Sequence, residues 1–357
     1  MNTRGFMNSR GRRAGLVSLA SLVVVLVVLT AGLVSAQGPP IHPPGLDRAI
    51  AAQEAHTDAL LARAGVVGTA VGLAADGQPV VKIYTRSAGV RGLPAALDGV
   101  PVEVEETGDL VAQDEGIGLS SGTERLIVIR ASLYCTVGTL GALVSDGAGV
   151  VYALSNAHVY ANEGSKTYGG PVVTGLAGDR VLQPGRVDMV DQACGSVAEI
   201  DRAEIGKLWA YQPIVFSRTA KNEIDAAIAR LSDQNSLVPN ATPGYGTPSS
   251  TVASAALTQA VQKQGRTTGL TQGTVTAVNA TVIIKYDKGQ ARFINQIVVQ
   301  GNGSAFSAGG DSGSLIVTSA GNHPVALLFA GSSSSTIGNP IQAVLDAFGL
   351  TIVGSSP

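Results

Sequence analysis

From residue 126 onward the chain alternates short apolar runs with glycine-bearing turns: "LIVIRASLY", "GALVSDGAGVVYALS", "GTVTAVNATVIIKY", "INQIVVQG", "SLIVTSA" and "VALLFAG". Runs of that length, rich in β-branched residues and bounded by Gly, Asp and Asn, read as strands. The chain holds 45 glycines in 357 residues while aromatics are only 4%, a balance that favours tight turns between strands over long helical bundles. It is 45% hydrophobic and 14% charged, so it can bury a sizeable core and is not a disordered polyelectrolyte. Strands at this spacing indicate a sandwich or a pair of barrels rather than a parallel α/β sheet. The stretch is generous for one barrel and sufficient for two.

The N-terminal third is built differently. Arg4, Arg10, Arg12 and Arg13 precede the apolar run Leu16–Leu33, and "VSA" puts small or apolar residues at Val34 and Ala36. This pattern predicts a signal peptide over 1–36, cleaved after Ala36, and a secreted protein. The alternative is an uncleaved anchor, because about 18 apolar residues nearly span a bilayer. A proline-rich spacer follows at 37–45. The stretch 46–110 then reads as a small α+β domain. It contains a helix in 46–65 with Gly65 just past its end, a hairpin about "AADGQ", a short helix-like stretch "AGVRGLPAALDG" and the strand "VPVEVEE". This domain is a candidate propeptide or a retained accessory domain. Residues 111–125 read as a linker to a main domain at 126–357, which closes with an amphipathic helix in "NPIQAVLDAFG". Asn339 suits its cap, Pro340 its first position and Gly349 its end.

Several function classes drop out. Without the leader, 20 basic residues face 26 acidic ones, a net charge of −6, and no Lys/Arg cluster remains to bind nucleic acid. The histidines His42, His56, His158 and His323 lack metal-ligand spacing, so neither metal nor cofactor is expected. Once the leader is removed, no stable membrane partner is expected. Two cysteines in an exported chain point to a disulfide.

"SAFSAGGDSGSLIV" (304–317) sets Ser312 between Asp311 and Gly313, just ahead of an apolar run. Taken alone, Gly-Asp-Ser-Gly is ordinary turn chemistry. A nucleophilic serine needs a base, usually His, oriented by a carboxylate. His158 ends an apolar strand in "VVYALSNAHVY", whereas His42, His56 and His323 fall in a spacer, a helix and a turn. Asp225 is embedded in "NEIDAAIARL", where an unpaired carboxylate is costly; Asp188 and Asp191 are alternative acids in a polar segment.

In order, "LSNAHV", "NEIDAAIARL" and "GGDSGSLIV" resemble the His, Asp and Ser motifs of trypsin-like serine peptidases, with 67 residues from His158 to Asp225 and 87 from there to Ser312. The resemblance covers roughly 120–357. It implies two six-stranded antiparallel β-barrels with a C-terminal helix, and a polypeptide substrate cut through an acyl-enzyme. His158 becomes general base, Asp225 its orienting acid and Ser312 the nucleophile. The N–H groups of Gly310 and Ser312 form an oxyanion hole. Asp311 becomes a buried, paired structural residue. Phe306 takes the floor of the substrate pocket, implying small or apolar side chains there, and Phe329, Ala330 and Gly331 form its wall. The residue after the histidine is Val159 rather than the cysteine of animal members, so the resemblance pairs Cys135 with Cys194. "QGRTTGLTQGTV" reads as a structural hairpin. The alternative class is a silent peptidase fold serving as a binding module.

Overall fold

In the computed structural model, which describes residues 43–113, 115–116, 127–128, 136–161, 180–185, 188, 201–234 and 244–356, the turn-punctuated runs form strands. All of these residues belong to one unit, Gln37–Pro357. Helix α1 (Leu46–Leu61) leads into β1 (Val66–Leu73), β2 (Pro79–Thr85), β3 (Ala96–Leu97), β4 (Val100–Glu106) and β5 (Leu110–Ala112). The short strands β6 (Glu115–Gly116), β7 (Ile127–Val128) and β8 (Thr136–Val137) come next. After them lie β9 (Ala142–Ser145), β10 (Val151–Ser155), the single-turn α2 (Ala157–Tyr160), β11 (Arg180–Leu182), β12 (Glu204–Tyr211) and β13 (Ala227–Leu231). The last third holds β14 (Ala260–Gly265), β15 (Gly269–Tyr286), β16 (Gly289–Gly301), β17 (Leu315–Thr318), β18 (Pro324–Gly331), β19 (Thr336–Pro340), helix α3 (Ile341–Phe348) and β20 (Thr351–Ile352).

The fold is mainly β. Strands β14, β17, β18, β19, β16 and β15 pair in that order, and β15 pairs back to β14, so these six close a barrel. Closure leaves no free edge within the ring. The earlier strands form a second sheet, β20-β9-β10-β13-β12-β11-β7. Alternation explains the burial: the inward residues of β14, β15 and β16 (Val261, Val275, Ile297, Val299) pack with Ile316, Val325 and Leu328. Ile341, Val344 and Leu345 of helix α3 join a buried cluster with Leu327 of β18 and with Val144, Leu154 and Ile228 of the second sheet. Burying each of the three α3 side chains contributes roughly 1.5–3 kcal/mol.

The strands of 46–110 extend the sheet from the second half of β15, in the order β15-β1-β2-β4-β3. Strand β1 runs antiparallel to β15, with Gly68 opposite Val282 and Thr69 opposite Thr281. Side chains reinforce the seam: Arg292 pairs with Asp58 at 2.6 Å, and Asn279 Nδ2 donates to Gln53 Oε1 at 2.9 Å.

Three local expectations change. The helix expected to run up to Gly65 ends earlier, at Leu61, while Gly65, at φ +88°, turns the chain into β1. "AGVRGLPAALDG" forms no helix, since Gly89 and Gly92 take positive φ and Pro94 interrupts the backbone ladder. Asn339 does not cap α3. It lies in β19, and Pro340 occupies the cap position.

Candidate active site

Strand register sets the first half of the site. β10 pairs with β13 so that Ser155 faces Ala227, and this brings the residues just after β10 alongside those just before β13. His158, in the single turn α2, meets Asp225 there. His158 Nδ1 lies 2.6 Å from Asp225 Oδ2, and the His158 backbone N–H donates to Oδ1 at 3.1 Å. Both side chains are fully buried. A carboxylate only accepts, so the bond fixes the proton of a neutral imidazole on Nδ1 and leaves Nε2 as the basic nitrogen.

Other donors complete the carboxylate's surroundings. Tyr286 Oη donates to Asp225 Oδ2 at 2.9 Å, and its ring meets the His158 ring edge-on at 5.8 Å. The Asp225 backbone is held at both ends: its N–H donates to Asn339 Oδ1 at 2.8 Å, and its carbonyl accepts from Asn156 Nδ2 at 2.7 Å. Asn339 is fixed in turn by donating to Gln296 Oε1 at 2.7 Å. The alternative acid Asp188 is instead clasped by Arg266, at 2.6 and 2.8 Å.

The second half is the turn at Ser312. Gly310 and Gly313 take φ of +88° and +94°, a region that side chains rarely enter, and a side chain on Gly313 would strike the Thr139 carbonyl and Ser155 Oγ. Asp311 is the turn's buried anchor. It accepts from the backbone N–H groups of Thr267 (2.8 Å), Thr268 (3.2 Å) and Ala308 (3.0 Å), from Thr268 Oγ1 (2.6 Å), and pairs with Lys263 at 3.3 Å. Burial pushes the Lys263 ammonium below its ordinary value, and the Asp311 charge opposes that shift. The hairpin around "GRTT" is therefore the wrapping of Asp311.

Thr139 fastens this turn to the other sheet. Its N–H donates to the Ser312 carbonyl at 2.6 Å, its hydroxyl to the Gly310 carbonyl at 2.9 Å, and its own carbonyl accepts from Ser155 Oγ at 2.8 Å. A Cβ on Gly138 would stand 2.9 Å from the Ser312 carbonyl oxygen and 2.6 Å from Val159, the neighbour of His158. Ser312 and the His158 turn thus flank one glycine. The Ser312 hydroxyl donates to the Phe329 carbonyl at 3.0 Å.

A segment of the chain crosses this region. β5 pairs antiparallel with β18, Ala112 opposite Ala330 and Val111 opposite Gly331. The next residue, Gln113, donates its N–H to the Phe329 carbonyl at 3.2 Å, while its carbonyl oxygen accepts from Gly310 N–H (2.7 Å) and Ser312 N–H (3.2 Å). Its side chain is buried beside Gly331, where a Cβ would meet Gln113 Nε2 at 2.5 Å and the Ser335 carbonyl at 2.7 Å.

The structure therefore brings Ser312, Gly310, Phe329, Ala330 and Gly331 around Gln113, and His158 onto Asp225. Phe306 is buried in the barrel core with Val261, Val275 and Val299. His56 bonds Asp98 at 3.0 Å, and His323 Nδ1 lies 2.9 Å from the Thr251 carbonyl. His42, Cys135, Cys194, Asp191 and the segment 1–36 lie outside the described residues. Sequence reasoning missed Tyr286, Asn339, Thr139 and Gln113. None of them carried a local signal: Gln113 follows only the three-residue run "LVA" inside a stretch that reads as a linker.

Residues 249–338 match a family described as the Nal1 C-terminal domain. Glutamyl endopeptidase 2 of Streptomyces griseus is 38% identical over 106 residues, 29% of this chain and 52% of the relative; the chain spans about half the length of that curated relative. Among solved structures, Thermobifida fusca protease A is 20% identical with a TM-score of 0.42, covering 65% of this chain and 98% of that one. A glutamic acid specific serine protease, described as using a histidine triad in substrate binding, is 23% identical with a TM-score of 0.41, over 63% and 97%.

Proposed function

We propose that this chain is a trypsin-like serine endopeptidase, exported from the cell that makes it, in which Ser312 attacks a peptide carbonyl. His158 takes the serine proton and later hands it to the leaving amine. Asp225 orients the imidazole and stabilises its charged form. The observation that carries this reading is the convergence of the Gly310 and Ser312 N–H groups on one carbonyl oxygen, at 2.7 and 3.2 Å. Two preorganised donors aimed at a carbonyl can stabilise the oxyanion that forms when it is attacked. The similarity to glutamyl endopeptidase 2 supports the same class of reaction. The Ser312 proton now points at Phe329, so attack requires the hydroxyl to rotate toward His158 Nε2.

Labelling with a fluorophosphonate tests the assignment. One adduct, mapped to Ser312 and absent from Ser312→Ala, is expected, with strong loss in His158→Ala. A folded protein that hydrolyses no casein and takes no label, even after Leu110–Gln113 has been displaced from the site, would favour the binding-module alternative.

A further inference from the structure

The segment Leu110–Gln113 does more than pass the site. It supplies an antiparallel partner to β18 through Val111 and Ala112, a backbone N–H to the Phe329 carbonyl, a carbonyl to the paired N–H groups of Gly310 and Ser312, and a side chain to the recess at Gly331. Main-chain pairing with the end of β18 that runs past its partner β17, combined with one seated side chain, is how an extended peptide is recognised by strand addition. We propose that Leu110–Gln113 is the enzyme's own first substrate, that the bond from Gln113 to Asp114 is cut within the same chain, and that the recess beside Gly331 selects a carboxamide side chain.

This inference rests on the peptidase reading above. Ser312 Oγ forms an ester bond to the Gln113 carbonyl carbon, the bond to the Asp114 nitrogen breaks, and the serine proton passes through His158 to the new amine. Water then adds to the ester carbon, giving the Gln113 carboxylate and restoring the Ser312 hydroxyl. The identity of the seated residue is specific to this chain. Gln113 Oε1 and Ser335 Oγ are both buried without a hydrogen-bond partner among the described residues, and the Ser335 carbonyl and the Gln113 amide both lie against Gly331, so the recess that takes the carboxamide is lined by polar groups. That differs from the small or apolar preference expected from Phe306. The recess also needs a glycine: any side chain at 331 would occupy the place of the Gln113 amide. After cleavage the piece ending at Gln113 remains attached through β1 on β15, while its new C-terminal strand is released from Gly310 and Ser312 and the site is opened to a second peptide.

The test is intact mass and N-terminal sequencing of the purified full chain, wild type beside Ser312→Ala. Two fragments, one ending at Gln113 and one beginning at Asp114, formed at a rate independent of protein concentration, are expected from wild type, and one uncut chain from Ser312→Ala. The processed enzyme should also hydrolyse the anilide of Leu-Val-Ala-Gln faster than that of Leu-Val-Ala-Lys by on the order of 10²-fold. A wild-type chain cut only elsewhere, for example after Arg125, or left whole while Ser312 takes the fluorophosphonate, would overturn the inference and leave the peptidase reading standing. A whole, unlabelled wild type beside a labelled Gln113→Trp variant would make the segment an uncut plug, which also overturns it. If neither protein is cut, labelled or active on casein, the peptidase reading fails and this one with it.

Discussion

Buried charge decides the behaviour of single residues in this molecule. Asp225 accepts three hydrogen bonds at its carboxylate, from the His158 N–H, His158 Nδ1 and Tyr286 Oη. A hydrogen bond to a charged group contributes about 1.5–3 kcal/mol. Removing the Tyr286 hydroxyl with Tyr286→Phe should therefore lower kcat by roughly ten- to a hundredfold, with KM little changed, because the loss falls on the orientation of His158 rather than on substrate contacts. Steady-state kinetics on a peptide anilide would show it, and a change confined to KM would refute it. Asp311 and Lys263 make the other buried pair. Breaking such a pair by removing one partner costs about 3–5 kcal/mol. Asp311→Ala should shift the urea midpoint accordingly and abolish activity, since the Ser312 turn loses its anchor. The nearness of His158 to Asp225 and the burial of Asp311 beside Ser312 could be anticipated from the sequence, because the chemistry proposed for those residues demands particular neighbours. Tyr286 and Asn339 could not, because each reaches Asp225 from a distant strand and carries no local mark.

At the scale of elements, the strands were legible wherever apolar runs had turn residues at both ends, as in β9, β10, β17 and β18. The helix expected in "AGVRGLPAALDG" failed because alanine propensity does not outweigh two glycines at positive φ and a proline. β5 was hidden for another reason. Its three residues lie in a polar segment, and its strand character comes from pairing with β18 and β15 rather than from its own sequence. The residue before it provides a handle. Burial alone would raise the Asp109 carboxyl, but the hydrogen bonds and charges of Lys285 and Arg86 outweigh it and hold the group below its ordinary 3.8. A carboxyl lowered in the folded state contributes stability that is fully present above its unfolded value and is lost as pH falls through the folded one. Docking of β5 should therefore loosen only below pH 3.8. Hydrogen exchange at Val111 and Ala112 would report this, and Asp109→Asn should remove the acid dependence. Exchange that rises equally in the variant would place the loosening elsewhere.

Over the whole molecule, the mainly β architecture and its closing helix followed from strand spacing and from the pattern of "NPIQAVLDAFG". The attachment of residues 46–110 did not, because β1 on β15 is a pairing between segments far apart in the chain. That seam, with Arg292 on Asp58 and Asn279 on Gln53, should keep the two pieces of a chain cut after Gln113 co-eluting in size-exclusion chromatography at neutral pH, parting only in urea. Two separate peaks in plain buffer would show the seam too weak to hold them. The bond from the Asp225 N–H to Asn339 has its own bearing on how the chain is made. A growing chain already carries His158, Asp225 and Ser312 before Asn339 has been added, yet it lacks the β19 side chain that holds the Asp225 N–H. Under the proposed mechanism, full activity is therefore expected only once residue 339 has been made, so that the order of synthesis itself defers it.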